Sequence, residues 1–161
     1  MSADDRLPRI LVIDDSRMVR ASIVKHIRGR FEVREEPDGE AGWEALLVDP
    51  GIELVLTDIG MPRLDGYGLL ERIRASRVSR VRELPVVIIS GDEDESARER
   101  ALALGANGFI PKGSGSVELL ATLTSLVSLA KAQSELALSR AALAQQSPVD
   151  PGSGLATPAY L

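Results

Sequence analysis

The chain has no cysteine, which excludes disulfides and thiolate metal sites and is compatible with a reducing compartment. It has a single histidine, His26, so no imidazole cluster is available to a softer metal; His26 falls mid-helix and reads as solvated. Aromatics make up 3% of the residues, so aliphatic side chains must fill any core. No apolar run reaches membrane-spanning length, and the opening MSADDRLPR lacks a signal peptide's apolar segment. A formal charge of −5 argues against a general nucleic-acid surface. The expectation is a cytoplasmic protein without membrane or DNA contacts, whose 161 residues suffice for one ordinary domain.

What is present is organised around residues 52–62, IELVLTDIGMP. Pro50-Gly51 and Gly60-Met61-Pro62 bound a short run of β-formers that ends at Thr57 and Asp58. Strands buried on both faces belong to parallel sheets, whose ligands lie beyond the carboxyl ends. Taken alone, Asp58 serves equally well as a cap of the next turn. Comparable runs recur. Residues 9–13 (RILVI) lead into Asp14-Asp15, and residues 86–89 (VVII) lead into Ser90-Gly91. Residues 31–35 (FEVRE) alternate like a strand nearer an edge, and residues 107–110 precede Pro111-Lys112-Gly113. Helical spacing fills the gaps: Ser16 opens a helix with Met18, Val19, Ile23, Val24 and Ile27 on one side. Residues 38–48 bury Ala41, Trp43, Ala45 and Leu46, and two further helices are expected over 64–78 and 92–104. Strand and helix alternate five times, which predicts an α/β fold with a doubly wound five-stranded parallel sheet.

In such a sheet the ends of the strands share one edge. Asp14, Asp15 and Asp58, the Ser90 hydroxyl and the Lys112 ammonium are therefore expected to converge. Crowded carboxylates repel unless a cation lies among them, and a hard, oxygen-ligated ion such as Mg²⁺ suits this set. A carboxylate beside such an ion, with a hydroxyl and a lysine at hand, can accept a phosphoryl group. Each residue also has an ordinary reading as helix cap, turn residue or surface charge; their coincidence on strand ends favours a site.

The set VIDDS (12–16), TDIGMP (57–62), VIISG (87–91) and GANGFIPKG (105–113) resembles the receiver domain of two-component response regulators, over about residues 8–128. The resemblance implies a flavodoxin-like fold and a signalling role rather than an enzyme, autodephosphorylation aside. It implies Asp58 as phosphoacceptor from a histidine kinase or phosphotransfer protein. Asp14 and Asp15 would hold Mg²⁺ (or Mn²⁺) with Asp58 and the Gly60 backbone carbonyl. Lys112 would bind the phosphoryl group, Ser90 would be the switch hydroxyl and Phe109 the rotating aromatic, although an aromatic on a strand also reads as core. Two departures stand out. Proline precedes Lys112 instead of following it, and Gly60 has no side chain where many relatives carry one that influences dephosphorylation.

Beyond the receiver, residues 116–146 carry one helical pattern that at ~1.5 Å per residue extends roughly 45 Å. Val117, Leu120, Leu123 and Val127 are placed to cover the sheet. A second seam of Leu119, Leu126, Leu129, Leu136 and Leu143 has coiled-coil spacing, interrupted by Thr122, Gln133 and Arg140. Residues 129–146 thus read either as a linker pairing two copies or as a solvated, Ala-rich helix. Residues 147–161 read as a flexible tail, yet DPGSGLATPAYL (150–161) is also similar to the DPLTGLPNR-type entry of diguanylate cyclase (GGDEF) domains. Asp150, Pro151, Gly154 and Leu155 match, and no cyclase chemistry lies in this chain. The functional expectation is a receiver that switches dimerisation or an output domain. The rival from another class is a constitutive dimerisation module with a vestigial acidic pocket. A Mg²⁺-dependent phosphohydrolase is disfavoured, because Ile59-Gly60 offers no general acid after the nucleophile.

Overall fold

The computed structural model describes residues 7–91, 95–113 and 115–146. In chain order these form β1 (Arg9–Ile13), α1 (Arg17–Ile27), β2 (Glu32–Glu36), α2 (Gly39–Val48), β3 (Ile52–Thr57) and α3 (Gly66–Arg74). There follow α4 (Ser79–Arg82), β4 (Val86–Ser90), α5 (Glu95–Ala103), β5 (Gly108–Pro111) and α6 (Ser116–Gln146). The five strands pair in the order β2-β1-β3-β4-β5, all parallel. The order reverses between β1 and β3, and a crevice outside the carboxyl ends opens at such a reversal.

Side chains alternate across the sheet and build two cores. Leu11, Ile13, Val55 and Ile88 face α2, α3 and α5, which contribute Leu46, Leu70, Ile73 and Ala101. Ile10, Val12, Leu54, Leu56 and Ile89 face the other way, onto Ile23 and Ile27 of α1 and Leu119, Leu123 and Val127 of α6. The central strands need aliphatics on both faces, which accounts for their unbroken hydrophobic runs. The chain divides at Val127/Ser128 into two units. In the second, α6 continues with Leu129 and Leu136 about half exposed. None of the described helices is long and apolar enough to cross a membrane.

Several expected details are corrected. The helix expected over 64–78 ends early, at Arg74, and a separate short helix, α4, follows from Ser79. Asp65 caps α3 by accepting from Gly68 N–H, and Ser76 Oγ accepts from Val78 N–H just ahead of α4. The turn between them is braced by Arg74, whose guanidinium donates to the carbonyls of Arg82, Leu84 and Gly105 and to Asn107 Oδ1. Met18 is 83% exposed, because α1 buries the positions four apart at 23 and 27, with Val19 half-buried one turn earlier. Val117 is 81% exposed for the same reason, and Leu119, placed in the second seam by its spacing, is core. On α2 the buried residues are Gly39, Gly42, Ala45 and Leu46. Ala41 and Trp43 are half-buried, and Arg72 lies 5.6 Å over the Trp43 ring. Strands β2 and β5 each run one residue later than expected. Residues 92–94, the Arg140 and Leu143 side chains and the tail from 147 lie outside the described residues.

Candidate functional site

The site forms where β1 and β3 end side by side. Ile13 pairs with Thr57, so Asp14 and Asp58 leave the sheet together, and the Asp58 N–H donates to the Ile13 carbonyl at 2.9 Å. Asp14 is fully buried. Its Oδ1 accepts from Ser16 N–H at 2.8 Å, an Asx turn that opens α1. Asp58 is almost as buried, and its Oδ1 accepts from the next backbone N–H, of Ile59, at 2.8 Å. From the end of β5, Lys112 reaches in: its Nζ stands 3.2 Å from Asp14 Oδ2 and 3.2 Å from Asp58 Oδ2. The Lys112 main chain is held separately, its N–H donating to the Ser90 carbonyl at 2.8 Å. Proline ahead of the lysine therefore leaves it in the site, with Pro111 completing β5 in register with Ser90.

The other expected residues are placed as follows. Asp15 is exposed at the rim, yet one carboxylate oxygen from each of Asp14, Asp15 and Asp58 lies within 4.8 Å of the others. Ser90 is buried at the end of β4. Gly60 is exposed, and a Cβ built there would meet nothing within 4 Å. Phe109 pairs with Ile88 and is half-buried against the core on the α3 and α5 side, not in the acidic cluster. His26 is exposed on α1, as expected.

Burial raises the Asp58 pKa above the ordinary carboxylate value, and the neighbouring Asp14 charge raises it further; the Ile59 N–H and Lys112 oppose both. Burial works against the Lys112 charge. Asp58 and Asp14 outweigh it and hold the lysine above its usual value. Asp14 Oδ2 is buried, and beyond the Lys112 ammonium 3.2 Å away it has no donor among the described residues. Such an oxygen in a cluster with two further carboxylates belongs to a donor set that fits a hard divalent cation.

Close packing accounts for the glycine at position 66. Gly66 N–H donates to the Ile59 carbonyl, and a Cβ at Gly66 would lie 2.2 Å from the Asp58 carbonyl oxygen. Arg63 adopts a left-handed conformation at φ 71°, and Leu64, next to it, accepts from Gly39 N–H at the start of α2. Arg20 was not among the expected residues. It donates Nη1–H to the Asp14 carbonyl and Nε–H to Glu35 Oε1 at 3.2 Å. In the sequence it is one arginine among many on an exposed-looking helix face.

The response regulator receiver domain family matches residues 10–124, and the chain belongs to that family. A two-component response regulator of Oryza sativa subsp. japonica is 36% identical over 106 residues, covering 65% of this chain and 78% of that protein. The chemotaxis response regulator CheY4 of Vibrio cholerae superposes with a TM-score of 0.67 at 21% identity, covering 74% of this chain and 98% of the other; at that identity the likeness is one of fold. A solved structure described as a probable two-component system response regulator/GGDEF domain protein gives a TM-score of 0.69 at 30% identity. It is matched over 75% of this chain and 49% of its own. The expected fold is thus observed, a flavodoxin-like five-stranded parallel sheet with a C-terminal helix.

Proposed function

We propose that residues 1–128 are a phosphoacceptor module that takes a phosphoryl group onto Asp58 from a histidine kinase or phosphotransfer protein. One observation carries the reading: a single ammonium, Lys112 Nζ, stands 3.2 Å from both Asp14 Oδ2 and Asp58 Oδ2, beside a third carboxylate. Asp14, Asp15 and Asp58, with the Gly60 carbonyl, would hold Mg²⁺ or Mn²⁺. Such an ion, when bound, neutralises the carboxylates and the phosphoryl oxygens.

The residues of the chain then divide the work. The Ile59 N–H fixes the rotation of the Asp58 carboxylate by holding Oδ1, which leaves Oδ2, beside Lys112, as the nucleophile. That oxygen attacks phosphorus; the bond from phosphorus to the donor's imidazole nitrogen breaks, the nitrogen keeping the electron pair. Lys112, no longer needed by the neutralised Asp58 oxygen, pairs with a phosphoryl oxygen, and the Ser90 hydroxyl donates to another. Chemistry stops at the acyl phosphate, in keeping with a signalling domain, with slow hydrolysis the only turnover.

Output in this reading runs through β4 and β5. Movement of Ser90 toward the phosphoryl group and of the Phe109 region would pass to α5 and β5, and from there to residues 129–146 of α6. These residues would pair with a second copy through Leu129 and Leu136, so phosphorylation would adjust helix pairing. The GGDEF-like DPGSGL (150–155), together with the GGDEF-linked structural relative, supports reading residues 147–161 as the entry to an output domain. Absence of a membrane-crossing helix among the described residues is compatible with a cytoplasmic module.

The test is the intact mass after incubation with acetyl phosphate, with and without Mg²⁺, for wild type and Asp58→Ala. A Mg²⁺-dependent phosphoryl adduct that the variant lacks is expected. No adduct under rapid quenching overturns the reading in favour of a constitutive dimerisation module.

A further inference from the structure

We infer that Arg20 is a positioning residue for the acidic pair, setting metal affinity through the backbone of Asp14 and Asp15. This rests on the proposed metal site at Asp14, Asp15 and Asp58. Asp14 is held at three atoms: its N–H donates to the Glu36 carbonyl, its Oδ1 accepts from Ser16, and its carbonyl accepts from Arg20. Asp15 is the opposite case. Its carboxylate is exposed and, among the described residues, makes no hydrogen bond or ion pair of its own. Only the main chain aims it.

The Asp14 carbonyl belongs to the peptide plane that leads into Asp15, so a donor fixed on that oxygen fixes the plane. Arg20 is such a donor. It stands one helical turn into α1 with its side chain 15% exposed, and its second arm is anchored on Glu35 in β2. The guanidinium thus links β1, α1 and β2 around one carbonyl, a span its rigid fork covers and a single ammonium does not. Groups that orient metal ligands from behind cost roughly 10- to 100-fold in metal affinity when removed.

Charge and position predict opposite signs. A cation beside a metal site repels the metal, so if Arg20 acted only as a charge, its removal would tighten binding. If it acts by position, its removal weakens binding. Mn²⁺ binding to the full chain, followed by electron paramagnetic resonance at a temperature where circular dichroism shows the variants folded, separates the two. Arg20→Ala is expected to bind Mn²⁺ about tenfold more weakly, at the lower end of that range. Arg20→Lys, which keeps the charge, is expected to restore only part of the loss. Equal or tighter binding by Arg20→Ala overturns the inference. Should Arg20→Ala not fold, Glu35→Ala releases only the second arm; a smaller loss in the same direction is expected, and unchanged affinity overturns the inference. A wild type that binds no Mn²⁺ sinks the metal site itself and this inference with it.

Discussion

Lys112 is tied to Ser90 through its own main chain, N–H to carbonyl at 2.8 Å, independently of what its ammonium does. The loop after β5 is therefore set by strand pairing, separately from the pairing of the ammonium with the two carboxylates. It carries the positive charge that pairs with both Asp14 and Asp58 among the described residues.

Replacing Lys112 by Gln should leave two buried carboxylates facing each other without compensation. Because the lysine is itself partly exposed, the cost at neutral pH is expected to be about 1–2 kcal/mol, below that of breaking a fully buried pair. The sign of the pH dependence follows. Without the ammonium, Asp58 is raised still further, and protonating it relieves the repulsion. Calorimetry should find the variant's deficit large at pH 7.5 and shrinking as the pH falls through the Asp58 titration. A deficit that does not change with pH would locate the loss in packing of the lysine stem.

Asp58 itself is held above the ordinary carboxylate value, chiefly by burial and then by Asp14. A raised acid binds more protons folded than unfolded between its two pKa values, so stability falls as pH rises through that window. Asp58→Asn keeps the shape, and its Oδ1 still accepts from Ile59 while the charge is gone. It should melt about 3 °C higher than wild type at pH 7, on the order of 1 kcal/mol for a chain of this size, with the gap closing in acid.

Much of this was legible in the sequence because the site is written on strand ends. Asp14, Asp58, Ser90 and Lys112 each follow a short aliphatic run, and parallel pairing brings such ends to one edge. Long cations were not legible. Nothing in the spacing singles out Arg20 or Arg74 as a brace, and only packing reveals that they donate to main-chain carbonyls. Apolar residues misled in the other direction. Met18 and Val117 fit a helical stripe as well as their neighbours do, but each lies beside the buried line, which runs at 19, 23 and 27 on α1 and at 119, 123 and 127 on α6. Periodicity over one or two turns does not separate adjacent lines; the sheet beneath does.

Two glycines near Asp58 should respond oppositely to a side chain. A Cβ at Gly66 would lie 2.2 Å from the Asp58 carbonyl and 3.0 Å from the Ile59 Cα, both main-chain atoms that cannot swing away. Gly66→Ala is expected to cost about 2–4 kcal/mol and to lower labelling by displacing Asp58. At Gly60 the space is open, so Gly60→Asn should fold as wild type. Its effect is expected on the phosphoryl group, whose hydrolysis should slow severalfold as an amide side chain obstructs water. Comparing dephosphorylation rates of the two proteins checks this; equal rates remove Gly60 from the control of lifetime.

Helix α6 changes character along its length. Its buried residues among those described are Leu119, Leu123 and Val127, and from Leu129 onward the described leucines are half exposed. The buried contacts described for α6 all precede residue 128, so on ending the chain after Leu129 the thermal stability of the receiver is expected to change by less than about 0.5 kcal/mol, as for surface changes generally. Association is another matter. Leu129 and Leu136 stand seven residues apart, one heptad, and a seam of that period is what pairs two parallel helices. Sedimentation of the full chain should show a dimer that strengthens on phosphorylation, and the truncated chain a monomer under both conditions. If the truncated chain stays equally dimeric, pairing runs through the receiver surface, and the long helix serves only to carry whatever follows it.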